Sequence, residues 1–260
     1  EERPKLIIAG YSSYSRSLDW AEFREIADEV GAMFMVDAAH IIGLIAGGAH
    51  PDPVPHAHLV TATTHKALRG PRGAFILCAA EYAGAIDKAM FPGPQGGPIN
   101  NLLAAKAVSF HEASTADFRA YAAQVVTNAN AMAEQTMSEG ARVVSGGTDN
   151  HLYLIDLRSI DETLTGREAA SHLNSLGLTL NFNAIPFDPR PPNRTTGLRI
   201  GTPASTTAGM KEDEMREVAS LILRGLRERD DEAAMADVAG RVRELASTFS
   251  AYPADFPGHV

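Results

Sequence analysis

The chain has 260 residues, 45% hydrophobic and 21% charged, enough apolar material for one large domain or two. A formal net charge of −9 without a basic cluster argues against nucleic acid as a partner. The single cysteine, Cys78, excludes an internal disulfide and fits a reducing, cytoplasmic setting; no apolar run approaches the roughly 20 residues that span a bilayer, and no signal peptide is visible.

In chain order, Leu6–Gly10 is a short apolar run bounded by charge and glycine, which reads as a buried strand of a parallel sheet. Such a strand needs neighbours on both sides and nothing precedes it, so the chain is expected to be a fragment or the partner of another chain. A polar loop over 11–16 follows. Asp19 has the position of an N-cap, with Glu22 at capping-box spacing. Trp20, Phe23, Ile26, Ala27 and Val30 then recur at the spacing of one buried helical face, and Gly31 ends the helix. Met33–Asp37 is a second buried strand, so the opening is a parallel crossover unit. A Gly/Pro/His-rich connection over 41–58 leads to a third strand, Leu59–Thr63, which delivers His65 and Lys66. After a turn at 70–73, Ala74–Cys78 is a fourth strand, followed by a helix near 80–89 and a glycine- and proline-rich loop over 91–98.

Residues 100–139 read as helical, with a break near Ser114 and Thr115. A smaller unit comes next, with strands at 142–144, 152–157, 178–181 and 197–201 and helices at 166–176 and 211–227. Residues 228–260 read as an acidic, alanine-rich helix and a proline-rich tail. The fold class is therefore α/β: a mainly parallel large-domain portion over residues 1–115 and a small C-terminal α+β domain with a helical tail over 116–260.

Ligands of open α/β sheets sit outside the carboxyl ends of the strands. Asp37, His40 and the pair His65–Lys66 all stand there. Lysine forms Schiff bases, and becomes a nucleophile when desolvation or a nearby cation lowers its pKa. Pyridoxal phosphate needs such a lysine, and a carboxylate that keeps its pyridine nitrogen protonated. Taken singly, each residue has an ordinary reading: Lys66 as a surface lysine, Asp37 as a turn residue, His40 as a packed imidazole. No metal site is assigned.

The run Thr61-Ala62-Thr63-Thr64-His65-Lys66, together with Val36-Asp37-Ala38-Ala39-His40, closely resembles serine hydroxymethyltransferase. So do Ser145-Gly146-Gly147-Thr148-Asp149-Asn150-His151 and Gly197-Leu198-Arg199-Ile200-Gly201-Thr202-Pro203-Ala204. The match runs from about residue 4 to residue 226. The resemblance implies a fold-type I pyridoxal 5'-phosphate enzyme that works as a homodimer or homotetramer and interconverts serine and glycine, with tetrahydrofolate as one-carbon acceptor. It implies that Lys66 carries the cofactor, that Asp37 pairs with the pyridine nitrogen, that His40 lies near the phenolic oxygen, and that His65 helps hold the site. Ser12 matches a cofactor-contacting serine. Gly96 and Gly97 match glycines whose N–H groups meet the partner subunit's cofactor phosphate, where small residues permit close approach. Arg199 matches the arginine that binds the substrate carboxylate through its guanidinium fork, and Asn183 a pterin-contacting asparagine.

Two departures open other readings. The family's N-terminal portion is absent from this sequence, and with it a stacking histidine and proton-handling groups. The resemblance therefore implies a truncated product, one that works with a separate N-terminal half, or a non-catalytic fragment. On the folate side, Phe182 replaces a polar or basic residue, and Asn193-Arg194 replaces an apolar pair after Pro191-Pro192. These changes leave room for a folate-independent threonine aldolase or transaldolase on the same scaffold.

Overall fold

A computed structural model describes residues 2–252. The chain divides into two compact units, one of residues up to 12 with 17–123, the other of 13–16 with 124 onward; the second boundary falls inside one long helix.

The first unit runs β1 (Leu6–Gly10), α1 (Trp20–Val30), β2 (Met33–Asp37), α2 (Ile42–Ala46), β3 (Leu59–Thr63), β4 (Ala74–Cys78), α3 (Ala80–Met90), α4 (Asn100–Ala113) and the start of α5 (Ala116–Ser138). The sheet order is β1-β2-β3-β4; the first three strands are parallel and β4 is antiparallel to β3. Helix α1 begins where the Asp19 carboxylate accepts the Glu22 N–H at 3.0 Å, and ends at Gly31 in the left-handed region. Its Trp20 and Ala27 are buried, as are Phe34 and Val36 of β2 and Val60 and Ala62 of β3, and these make up much of the core.

Three expectations are corrected here. β1 is not a buried strand: Leu6 and Ile8 are 42% and 61% exposed, because β1 pairs with β2 alone among the described residues and forms the sheet edge. Only alternate residues of β2 are fully buried. The connection over 41–58 contains α2, whose Ile42, Gly43 and Leu44 are buried. The predicted break between α4 and α5 is present at Ser114 and Thr115.

The second unit continues α5 into β5 (Arg142–Val143), β6 (Leu152–Asp156), α6 (Gly166–Ser175), β7 (Asn181–Asn183), β8 (Gly197–Gly201), α7 (Pro203–Thr207), α8 (Glu212–Arg227) and α9 (Glu232–Thr248). Its sheet, β5-β6-β8-β7, is antiparallel throughout. Thr165 and Glu168 form a reciprocal cap that starts α6. Met215, Ala219, Ile222, Leu223 and Leu226 of α8 share a core with Tyr153, Ile155, Leu198 and Ile200, which form one face of the sheet. The strand expected at 178–181 lies instead at β7, because Leu178 and Leu180 are drawn against this core. The predicted proline-rich tail extends beyond the described residues. No helix among those residues is long and apolar enough to cross a membrane.

Candidate active site

The register of the first sheet aligns Gly10, Asp37 and Thr61 across three adjacent parallel strands. The loops that follow therefore leave the carboxyl end of these strands, carrying Ser12, Asp37 with His40, and His65 with Lys66. Asp37 is exposed, and its Oδ1 accepts the Ala39 N–H at 3.1 Å, which turns the chain sharply after β2. The turn is fastened to β3: Ala38 N–H donates to the Thr61 carbonyl at 2.8 Å, and the Thr63 hydroxyl donates to the Ala39 carbonyl at 3.0 Å. Gly10 lies so close that an added Cβ would sit 2.1 Å from the Asp37 carbonyl oxygen.

Lys66 is half-buried on a closed loop. Thr64 N–H donates to Gly73 O at 2.9 Å, Gly70 N–H to Thr64 O at 2.7 Å, and the buried Thr64 hydroxyl to Pro71 O at 2.5 Å. Arg69, at a positive φ of 59°, lays its guanidinium 4.0 Å from the Tyr121 ring centre, and the Tyr121 hydroxyl donates to Ala67 O at 3.3 Å. The His65 ring stands 3.3 Å from Gly73 O through Nδ1. A groove of about 1380 Å³ is lined in part by His65, Arg72, Lys106, Gly96 and Gly97, but its lining does not include Lys66, Asp37, His40 or Ser12. The two glycines are exposed, and an added Cβ on either would meet nothing within 4 Å.

In the second unit, Arg199 pairs in register with Asn181, and Asn183 with Gly197, so Arg199, Asn181 and Asn183 share one face of the sheet. Arg199 Nη2 donates to Asn181 Oδ1 at 3.1 Å. Partial burial pulls its guanidinium below the usual arginine range. Phe182 lies on the opposite face, where its Cβ would be 3.2 Å from a Cβ added at Gly166 of α6.

Sequence reasoning missed Asp188. Its carboxylate accepts the N–H groups of Ile185, Arg190 and Thr196 and the Thr196 hydroxyl, at 2.5–3.2 Å. Burial raises its pKa, but these hydrogen bonds outweigh that and hold it below the ordinary carboxylate value. It fastens the 184–196 loop that carries Asn193 and Arg194. In a proline-rich stretch, no periodic signal marks an aspartate that binds its own loop's backbone.

The loops at the carboxyl ends of these strands thus carry an amine, a carboxylate, two imidazoles and a hydroxyl, a donor set that suits pyridoxal phosphate. The sequence model of serine hydroxymethyltransferase matches residues 1–222. The chain belongs to the serine hydroxymethyltransferase family. That family is of fold type I and depends on pyridoxal phosphate, in agreement with the mostly parallel first sheet and the separate antiparallel one. Its members are transferases of serine and glycine metabolism and are generally oligomeric. Every candidate residue lies within the matched span.

Proposed function

We propose that this chain carries the hydroxymethyltransferase reaction itself, converting serine to glycine with tetrahydrofolate as the one-carbon acceptor. The observation that carries this reading is the aligned strand ends of the first sheet, within a family of that chemistry. When bound, pyridoxal phosphate supplies an electron sink for the bond broken at the amino acid's Cα. Lys66 offers the amine that holds it, and Asp37 the carboxylate that keeps a proton on its ring nitrogen. His40, His65 and Ser12 offer donors around the ring, and Gly96 and Gly97 offer backbone N–H groups to a phosphate of the partner subunit. Arg199 holds the amino acid's carboxylate. A partly desolvated guanidinium gains most from an anion, which supports this assignment.

Assembly with a second copy, or with a separate N-terminal half, is part of the proposal. It is supported by Ile99, Leu103, Val108 and Phe110 on and beside α4, which are 43–61% exposed. Asn183 takes the pterin, and Phe182, turned to the face away from Asn183, leaves it that role. A folate-independent aldolase acting on threonine is favoured only by the exposed Asn193 and Arg194.

The test adds pyridoxal phosphate to the wild-type chain and to Lys66→Ala, then serine with and without tetrahydrofolate. A visible absorbance lost in Lys66→Ala and glycine formed only with folate support the proposal. Threonine cleavage indifferent to folate selects the aldolase, and no turnover after mixing with an N-terminal half selects a non-catalytic role.

A further inference from the structure

Lys66 opens a four-residue turn, which the Arg69 N–H closes by donating to Lys66 O at 2.9 Å. Ala67 and Leu68 in its middle are buried, while Lys66 is half-buried and Arg69 exposed. Buried carbonyls need donors. Two helices of the same unit supply them. The Tyr121 hydroxyl of α5 donates to Ala67 O at 3.3 Å, and the Ser109 hydroxyl of α4 to Leu68 O at 3.4 Å.

Tyr121 touches this turn twice. Its hydroxyl meets the residue directly after Lys66, and its ring carries the guanidinium of Arg69 at 4.0 Å from the ring centre. The Phe118 ring lies 5.4 Å from the Tyr121 ring and 5.5 Å from the same guanidinium, so the two buried rings form one seat. Arg69 also has a φ of 59°, a backbone that a long side chain adopts only where its surroundings enforce it. Gly70 packs close behind, where a Cβ would stand 2.6 Å from Ser109 Oγ and 2.9 Å from Thr64 O.

We propose that Tyr121 is a positioning residue for Lys66: from α5 it holds the turn at Ala67 and at Arg69, and so fixes the backbone from which the Lys66 amine reaches the cofactor. Released at either contact, the strained turn relaxes toward an ordinary backbone and the amine loses its direction. The purpose of this hold rests on the reading of Lys66 as the cofactor's amine, whereas the hold itself rests on the contacts.

The test compares, on the full chain, pyridoxal phosphate with deoxypyridoxine phosphate, which has the same ring and phosphate but no aldehyde to bond a lysine amine. General loosening of the unit weakens both ligands alike; a misdirected Lys66 weakens only the aldehyde. Tyr121→Phe keeps the ring, and Arg69→Gln keeps the hydroxyl. Each should cut the preference for the aldehyde about fivefold, as expected for one buried hydrogen bond or one cation–π contact. Without ligand, Tyr121→Phe should speed hydrogen exchange about fivefold at the Arg69 and Gly70 amides, which donate to Lys66 O and Thr64 O. Equal weakening of both ligands, or exchange within twofold of wild type, would overturn the proposal. If Tyr121→Phe does not fold, Arg69→Gln, altered at an exposed side chain, carries the ligand comparison. A wild-type preference retained in both variants sinks the role of Tyr121 alone. A wild-type chain that takes neither ligand, or both equally well, sinks the reading of Lys66, and exchange then decides whether Tyr121 holds the turn.

Discussion

Gly10→Ala tests whether close backbone contact sets the Asp37 position. Gly10 has a φ of 115°, and an alanine methyl would lie 2.1 Å from the Asp37 carbonyl oxygen and 2.9 Å from its nitrogen. Both are backbone atoms in a paired strand and cannot rotate aside. Overpacking of this kind costs about 1–3 kcal/mol, and a left-handed backbone adds about 1–2 kcal/mol for a residue with a Cβ. Stiffening of the unfolded chain returns about 0.4–1 kcal/mol, which leaves a net loss of about 3 kcal/mol. Gly31→Ala is the control: its φ is 71°, but nothing lies within 4 Å of the added methyl, so only the backbone cost of about 1 kcal/mol remains. The chain's one tryptophan, Trp20, is 2% exposed in the same unit and reports its unfolding. With a urea slope of about 1–3 kcal/mol/M, the Gly10→Ala midpoint should fall about 0.7–2 M below that of Gly31→Ala. Equal midpoints for the two variants would refute the reasoning.

Three further outcomes follow from the same geometry. In an assembly that turns over serine, Arg199→Ala should raise the amino-acid KM by two orders of magnitude or more, since removing one partner of a buried charge-assisted pair costs ~3 kcal/mol; steady-state kinetics at saturating cofactor check this. Asp188→Asn should cost about 2 kcal/mol, because an amide cannot accept from all four donors; the thermal midpoint and proteolysis within 184–196 are the readouts. Asp156 is buried, which raises its pKa, but hydrogen bonds from Arg158 and the charges of Arg158 and Arg142 outweigh this and hold it down. Asp161 is lowered to about 2 by Thr163 and Arg229. Both are depressed in the folded state, so their stabilisation is present above the ordinary value of 3.8 and is lost as pH falls through each folded value, about 2 for Asp161. Stability measured from pH 6 to pH 2 should fall progressively below about pH 5 and most steeply toward pH 2.

The first sheet was legible because its signals are local. Short apolar runs, the Asp19 cap and the Gly31 stop each act within a few residues, and the order of strands follows from the crossover rule. Edge status was not legible. Leu6-Ile7-Ile8 reads the same whether it has one neighbour or two, and pairing at a distance decides which side chains are covered. At the candidate site, residue types at strand ends could be read directly, whereas Asp188 works within an aperiodic loop of the second unit. Phe182 shows the same limit from the other side. It is the sequence neighbour of Asn183, but strand alternation puts the two on opposite faces, so adjacency in sequence gave the wrong impression of shared surroundings.

Glycine spacing contributes to holding the Asp37 and Lys66 backbones in place. Gly10 lets β1 press on the Asp37 backbone. Gly43 does the same for Lys66, since a Cβ there would sit 2.4 Å from the Ala67 carbonyl carbon and 2.6 Å from the Leu68 nitrogen. In both cases main chain meets main chain one residue or less from the group that would do the chemistry. Side-chain hydrogen bonds can re-form in other geometries, but contact between paired backbones cannot give way without moving a strand or a helix. The placement of the carboxylate and the amine is therefore a property of the sheet and α2. On this account Gly43→Ala, which alters no polar group, should weaken pyridoxal phosphate binding through Lys66.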